Sequence, residues 1–159
     1  MQVEAGLQRV AIVDCDVHQG NGTASIFAGD DSVFTFSIHG ARNFPFAKEA
    51  SDLDIELADG TSDDEYLWHL ERGLDETLER SRPQLAIYLA GADPYEDDRL
   101  GRLGLTKRGL ARRDEHVLAT LRSRSIPVAI AMAGGYARDI EDSVEIHATT
   151  LLTARRMES

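Results

Sequence analysis

The chain has 159 residues and a formal charge of −11, which is the length of one domain with no room for a second core. A single cysteine excludes an internal disulfide, and no apolar stretch reaches the roughly 20 residues of a membrane-spanning helix. The acidity argues against direct contact with a phosphate backbone, so neither nucleic acid nor membrane is an expected partner. A start without signal-peptide or transit-peptide character points to the cytoplasm.

Taken in chain order, Val10 to Val13 is the first of the short apolar runs that read as strands. Directly behind it stand Asp14-Cys15-Asp16-Val17-His18, then Gly20-Asn21-Gly22-Thr23. In an extended segment alternate residues share a face, so Asp14, Asp16 and His18 point one way and Cys15 and Val17 the other. Cys15 reads as a buried small residue. Val33 to Ile38 is the next strand, and Ile38 to Gly60 reads as a long functional connection rich in turn formers. Ser62 to Arg80 carries leucines at 67, 70, 74 and 78, the stripe of an amphipathic helix, with Ser62 and Glu65 as a capping box and Pro83 behind the end. Leu85 to Ala90 is a strand, Thr106 to Ser123 a helix, Val128 to Met132 a strand, and Asp139 to Arg155 a helix. The arginines from Arg108 to Arg113 read as a solvated helix face. His39, His69, His116 and His147 read as structural. Near-continuous apolar strands alternating with helices predict an α/β domain whose parallel sheet is buried on both faces.

Ligands of parallel sheets gather outside the carboxyl ends of the strands. Those ends hold Asp14, Asp16 and His18; Ser37-Ile38-His39-Gly40; Asp93 through Asp98; and Gly134-Gly135-Tyr136. Carboxylates and an imidazole at such a place suit zinc or ferrous iron.

In these residues the chain resembles the histone deacetylase family. Asp-x-Asp-x-His-x-Gly-x-Gly-Thr, Gly-x-Asp-x-x-x-x-Asp and Gly-Gly-Tyr stand in the family's order, each behind a strand. Ser-Ile-His, Asn43-Phe44-Pro45-Phe46, Ser51-Asp52-Leu53-Asp54-Ile55 and Leu89-Ala90-Gly91-Ala92-Asp93-Pro94-Tyr95 are most similar to its class IV branch and the bacterial amidohydrolase relatives. The resemblance implies the three-layer arginase-like α/β fold and hydrolysis of N-acyl-lysine or acylated amines. It implies Zn2+, or Fe2+, on Asp16, His18 and Asp93, and a structural K+ or Na+ touching Asp14, Asp16, His18, Ser37 and Ile38. Tyr136 would donate to the developing oxyanion, and Asp14 would orient an active-site histidine. Phe44 would wall the acyl-lysine tunnel, with Gly134 and Gly135 allowing the tight turn.

The family's His-His pair, its general base, has no counterpart among the histidines at 18, 39, 69, 116 and 147. Ala133 replaces a further glycine of many members. The resemblance therefore implies residues 1–159 as one partial domain without its amino-terminal portion, the product of a truncated or split gene, with a separate upstream half as partner. Loss of a general base costs about 10²–10⁴ in rate, so an impaired deacylase is expected, and strands interior to a full sheet are expected to become exposed edges. Two other readings stand beside it. One is a non-catalytic remnant binding metal or a partner chain. The other is a haloacid-dehalogenase-type phosphatase using Asp14 and Asp16, Ser37, and Asp93 together with Asp97 or Asp98, with magnesium bound through carboxylates.

Overall fold

The computed structural model describes residue 4 and residues 6–158. Its elements are β1 (Val10–Asp14), α1 (Asn21–Ile26), β2 (Val33–Gly40), β3 (Leu53–Leu57), α2 (Asp63–Ser81), β4 (Leu85–Ala90), α3 (Lys107–Ser123), β5 (Val128–Met132) and α4 (Ile140–Glu158). The strands form one sheet in the order β3-β2-β1-β4-β5, every neighbouring pair parallel. This is the expected α/β fold, a parallel sheet flanked by helices. β1 is central, and its register sets Asp14 beside Ser37 of β2 and Leu89 of β4. The switch in strand order lies here, between β1 and β4, where a parallel sheet opens a crevice at its carboxyl edge.

The helix α2 covers β1, β2 and β3, and α3 lies between α2 and α4. Leu70, Leu74 and Leu78 of α2 are buried together with Phe36, Ile38 and Tyr88 of the sheet, the packing that the leucine spacing predicts. Ser62 does sit at the N-cap of α2, but its side chain makes no capping bond. Asp63, Asp64 and Glu65 in the first turn offset the helix dipole instead. The side-chain cap appears on α3, where Thr106 Oγ1 accepts from Gly109 N at 3.0 Å and donates to Asp63 Oδ2 at 2.7 Å.

Besides the missing Ser62 cap, the structure departs from the sequence reading in four places. The connection from Ile38 to Gly60 contains an edge strand, β3, whose Asp54 and Glu56 interrupt the apolar run that marks a buried strand. The short helix α1 follows the first motif. Arg113 is fully buried rather than solvated. Only β1 and β2 are buried on both faces: β4 alternates between buried and half-buried residues, and β5 exposes Ala129, Ala131 and Met132. Ile140, Val144, Leu151 and Leu152 of α4 are exposed as well.

Candidate metal centre

Beyond Asp14 the chain leaves the extended conformation through two successive turns in which a carboxylate binds the backbone two residues on. Asp14 Oδ1 accepts from Asp16 N at 3.0 Å, and Asp16 Oδ1 accepts from His18 N at 2.9 Å. Cys15 and Val17 are nonetheless fully buried, so the alternation survives although the segment bends.

Asp93 arrives from the loop after β4. Its Oδ1 accepts from Val17 N at 2.9 Å, and its Oδ2 lies 3.2 Å from His18 Nδ1. The same ring nitrogen is 3.1 Å from Asp16 Oδ1. Asp16 Oδ2 accepts from Gly134 N, behind β5, at 2.7 Å. Three strand ends thus meet at Asp16, His18 and Asp93, whose ligand atoms lie within 4.8 Å of one another.

Glycines make the approach close enough. A Cβ on Gly91 would lie 2.7 Å from Asp16 Cα, and one on Gly134 would lie 2.8 Å from both Asp16 Oδ2 and Asp93 Cγ. Neither Gly134 nor Gly135 has the left-handed φ that only glycine adopts easily. Gly134 is required for space, which corrects the expectation that conformational freedom is its role.

Burial and the hydrogen bonds among these groups set the electrostatics of the site. Burial pushes the Asp14 carboxyl up to about 7, with Asp16 and Asp93 as like charges adding to the rise and the Asp16 N–H opposing it. Burial likewise raises Asp93 to about 6. Burial also acts upward on Asp16, but hydrogen bonds from His18 and Gly134 outweigh it and hold the carboxyl below its ordinary range. Bonds to Asp16 and then Asp93 raise the half-buried His18 to about 10. The imidazolium proton between two carboxylates therefore fills the electrostatic role of a cation. Two carboxylates and an imidazole are a donor set for zinc or ferrous iron, and the N–H groups of Val17, His18 and Gly134 fix both carboxylates from outside. The residues fit such an ion.

The other singled-out residues lie around this cluster. Asp14 is buried beneath it. Ser37 Oγ lies 2.9 Å from His39 Nδ1 inside the sheet, and Ile38 is fully buried. A hydroxyl held this way is poorly placed to grip phosphate, which counts against the phosphatase reading. Phe44 is exposed and packs edge-on to Phe46. Its loop is tied to the loop after Asp93 by Asn43 Nδ2, which donates to Leu100 O at 2.9 Å. Gly135 packs near Ala92. Tyr136 exposes 61% of its surface, while its N–H donates to Asp98 Oδ2 at 2.6 Å. Asp98 also accepts from Leu100 N and Gly101 N, so the last aspartate of Gly-x-Asp-x-x-x-x-Asp clamps the Gly-Gly-Tyr turn. Sequence reasoning placed Asp98 in the motif and, with Asp97, among the candidates of the phosphatase reading, not as this clamp, and it missed Arg113, whose Nη1 donates to Gly91 O at 2.6 Å and Cys15 O at 3.3 Å. The signal was present: position 113 follows Leu110 by three and precedes Val117 by four, on the buried stripe of α3.

Residues 1–151 match the family model described as the histone deacetylase domain. The chain belongs to the histone deacetylase family. It is 48% identical over 148 residues to an uncharacterised protein of Picosynechococcus sp., covering 93% of this chain and 49% of that protein. It is 36% identical over 146 residues to histone deacetylase 2 of Arabidopsis thaliana, covering 87% of this chain and 38% of that one. The acetylpolyamine aminohydrolase of Burkholderia pseudomallei superposes with a TM-score of 0.79 at 27% identity, covering 96% of this deacetylase-family chain and 46% of its own. The chain spans less than half the length of these relatives. Among the described residues no helix is long and apolar enough to cross a membrane.

Proposed function

We propose that this chain carries the metal-bearing part of a deacylase site that hydrolyses N-acyl-lysine or acylated amines. The convergence of Asp16, His18 and Asp93 from two strand ends, with Gly134 bound to one of them, carries the reading. The name of the aminohydrolase neighbour supports an acylated amine as substrate class. A zinc or ferrous ion, when bound, supplies Lewis acidity toward water and the substrate carbonyl.

The chain's own residues do the rest. Asp16, His18 and Asp93 hold the ion, and His18 gives up its proton to do so. Tyr136 donates its phenolic hydrogen bond to the carbonyl oxygen as charge develops there. Asp98 sets the backbone from which that phenol projects. Asp14 orients a histidine of the site and, with Asp16, His18, Ser37 and Ile38, contributes to a structural K+ or Na+ site. Phe44, Gly134 and Gly135 line the approach of the acyl chain. The general base is none of these residues, so the reading assigns it to sequence beyond the 159, in the same or a separate polypeptide, and expects the chain alone to be impaired.

Metal content and acyl-lysine hydrolysis of the purified chain test this, alone and with an upstream deacetylase half that carries a His-His pair. Stoichiometric metal, with turnover only after addition, is the expected result. Metal bound without turnover in either case would favour a non-catalytic binding role, and absence of both metal and turnover would sink the metal-site reading.

A further inference from the structure

We propose that Arg113 is the positioning residue of this metal centre, its buried guanidinium tying the main chains that carry Asp16 and Asp93 into one rigid unit. The inference rests on the metal-site reading and assigns a task to a side chain which that reading does not use.

The β1–β4 ladder has Asp14 and Leu89 as its last paired residues, and Cys15 N still reaches Leu89 O at 3.1 Å. Past this point the ladder ends although the backbones stay close, a Cβ on Gly91 lying 2.7 Å from Asp16 Cα, and carbonyls that no longer pair across the ladder need donors. Arg113 supplies them. Nη1 donates to the carbonyl of Cys15, next to Asp16, and to that of Gly91, two residues before Asp93. One rigid group thereby replaces the ladder where the ladder ends.

The guanidinium is itself anchored. Nε donates to Asp114 Oδ1 at 2.9 Å, and Nη2 lies 2.8 Å from the same oxygen without the alignment of a hydrogen bond. Asp114 also accepts from Tyr88 of β4 and Thr150 of α4, each at 2.5 Å. Arg113 and Asp114 are almost fully enclosed. The strut thus runs from α4 through α3 to both ligand-bearing strand ends. A planar fork can grip a carboxylate and two carbonyls together, whereas a lysine ammonium supplies a point charge on a shorter reach.

Cys15, the chain's one cysteine, is fully buried between Asp14 and Asp16, so its thiol reports opening of this segment without a metal. The experiment labels Cys15 with a thiol reagent in the metal-free 159-residue chain and separately titrates the chain with cobalt. Arg113→Lys is compared with wild type and with Leu121→Ala, a core control on the same helix. Arg113→Lys is expected to label about tenfold faster than wild type, beyond any rise that its loss of global stability produces in the control. Its cobalt affinity is expected to fall about 10–100-fold while the circular dichroism stays folded. Labelling no faster than the stability-matched control overturns the proposal whether or not metal binds. Faster labelling in a chain whose wild type takes up no cobalt leaves the positioning role standing and removes the metal reading. If Arg113→Lys does not fold, Thr150→Val, which replaces by a methyl the hydroxyl that holds Asp114 and also lies 3.2 Å from Ile146 O, carries the test. A few-fold rise in labelling is then expected, and a folded Thr150→Val that labels at the wild-type rate refutes the strut.

Discussion

Gly134→Ala is the most direct test of how tightly the ligands are assembled. The added methyl would lie 2.8 Å from Asp16 Oδ2 and from Asp93 Cγ, about 0.6 Å inside the 3.4 Å where ordinary contact begins, and closer still to Asp93 Oδ2. The neighbours cannot simply swing away, because Asp16 is held by the Gly134 and His18 N–H groups and Asp93 by that of Val17. Overpacking of this kind costs about 1–3 kcal/mol. Displacing both carboxylates from their positions should weaken metal binding about 10–100-fold, the cost of losing ligand orientation. Isothermal titration with zinc, beside urea denaturation of the metal-free chain, measures both quantities. The N–H donor and an accessible backbone conformation survive the substitution, so steric pressure alone is under test. A folded Gly134→Ala chain that binds zinc with wild-type affinity would refute the close-packed geometry.

Four other outcomes follow from the structure. His18→Ala and Asp93→Ala should each abolish stoichiometric zinc while leaving the far-ultraviolet circular dichroism in place; full retention of metal by either would remove that residue from the ligand set. Tyr136→Phe should leave zinc affinity unchanged and, with an upstream half present, lower acyl-lysine turnover about 10²–10³-fold; an equal loss of metal would make its role structural. Burial, with the charge of Arg113 second, holds His147 below its ordinary 6.5. The unfolded chain therefore takes up the proton first as pH falls through 6.5, and this contribution to stability declines until the folded-state value is reached. Because Asp14, Asp93, His18 and His39 are also shifted, the test is the difference in urea midpoint between His147→Gln and wild type, which should move in favour of the variant as pH falls from about 8 to 5.5; a pH-independent difference would contradict this. Thr106→Ala removes the side-chain cap of α3 and a partner of Asp63, which should cost about 1 kcal/mol in urea denaturation; no loss would show that the cap contributes nothing.

The cluster of Asp16, His18 and Asp93 was legible because its chemistry is local and regular. Asp16 and His18 sit two apart behind an apolar run, and Asp93 and Gly134 each follow another such run, so the parallel sheet delivers them to one edge. What the sequence hid depends on long-range geometry. β3 escaped notice because Asp54 and Glu56 interrupt an edge strand that needs no continuous apolar run. Arg113 was hidden by its charge: arginine beside Arg112 reads as solvent-facing until Asp114 and two main-chain carbonyls are seen to meet it. The work of Gly134 was also misassigned, since a close approach to Asp16, 118 positions upstream, and to Asp93 leaves no local trace. Asp98 shows the middle case, a motif residue visible by spacing whose partner, the Tyr136 N–H, only the folded chain reveals.

The spacing of the three candidate ligands has a consequence for the life of the chain. Asp16 and His18 are neighbours, but His18 and Asp93 are 75 residues apart, so an unfolded chain can offer the first pair without the third. An ion that needs all three binds the folded state selectively, and each tenfold excess of free ion over its dissociation constant then adds about 1.4 kcal/mol to stability. Under the metal reading, the abundance of this protein should rise and fall with metal supply, and chelation should expose it to proteolysis as well as remove the Lewis acid.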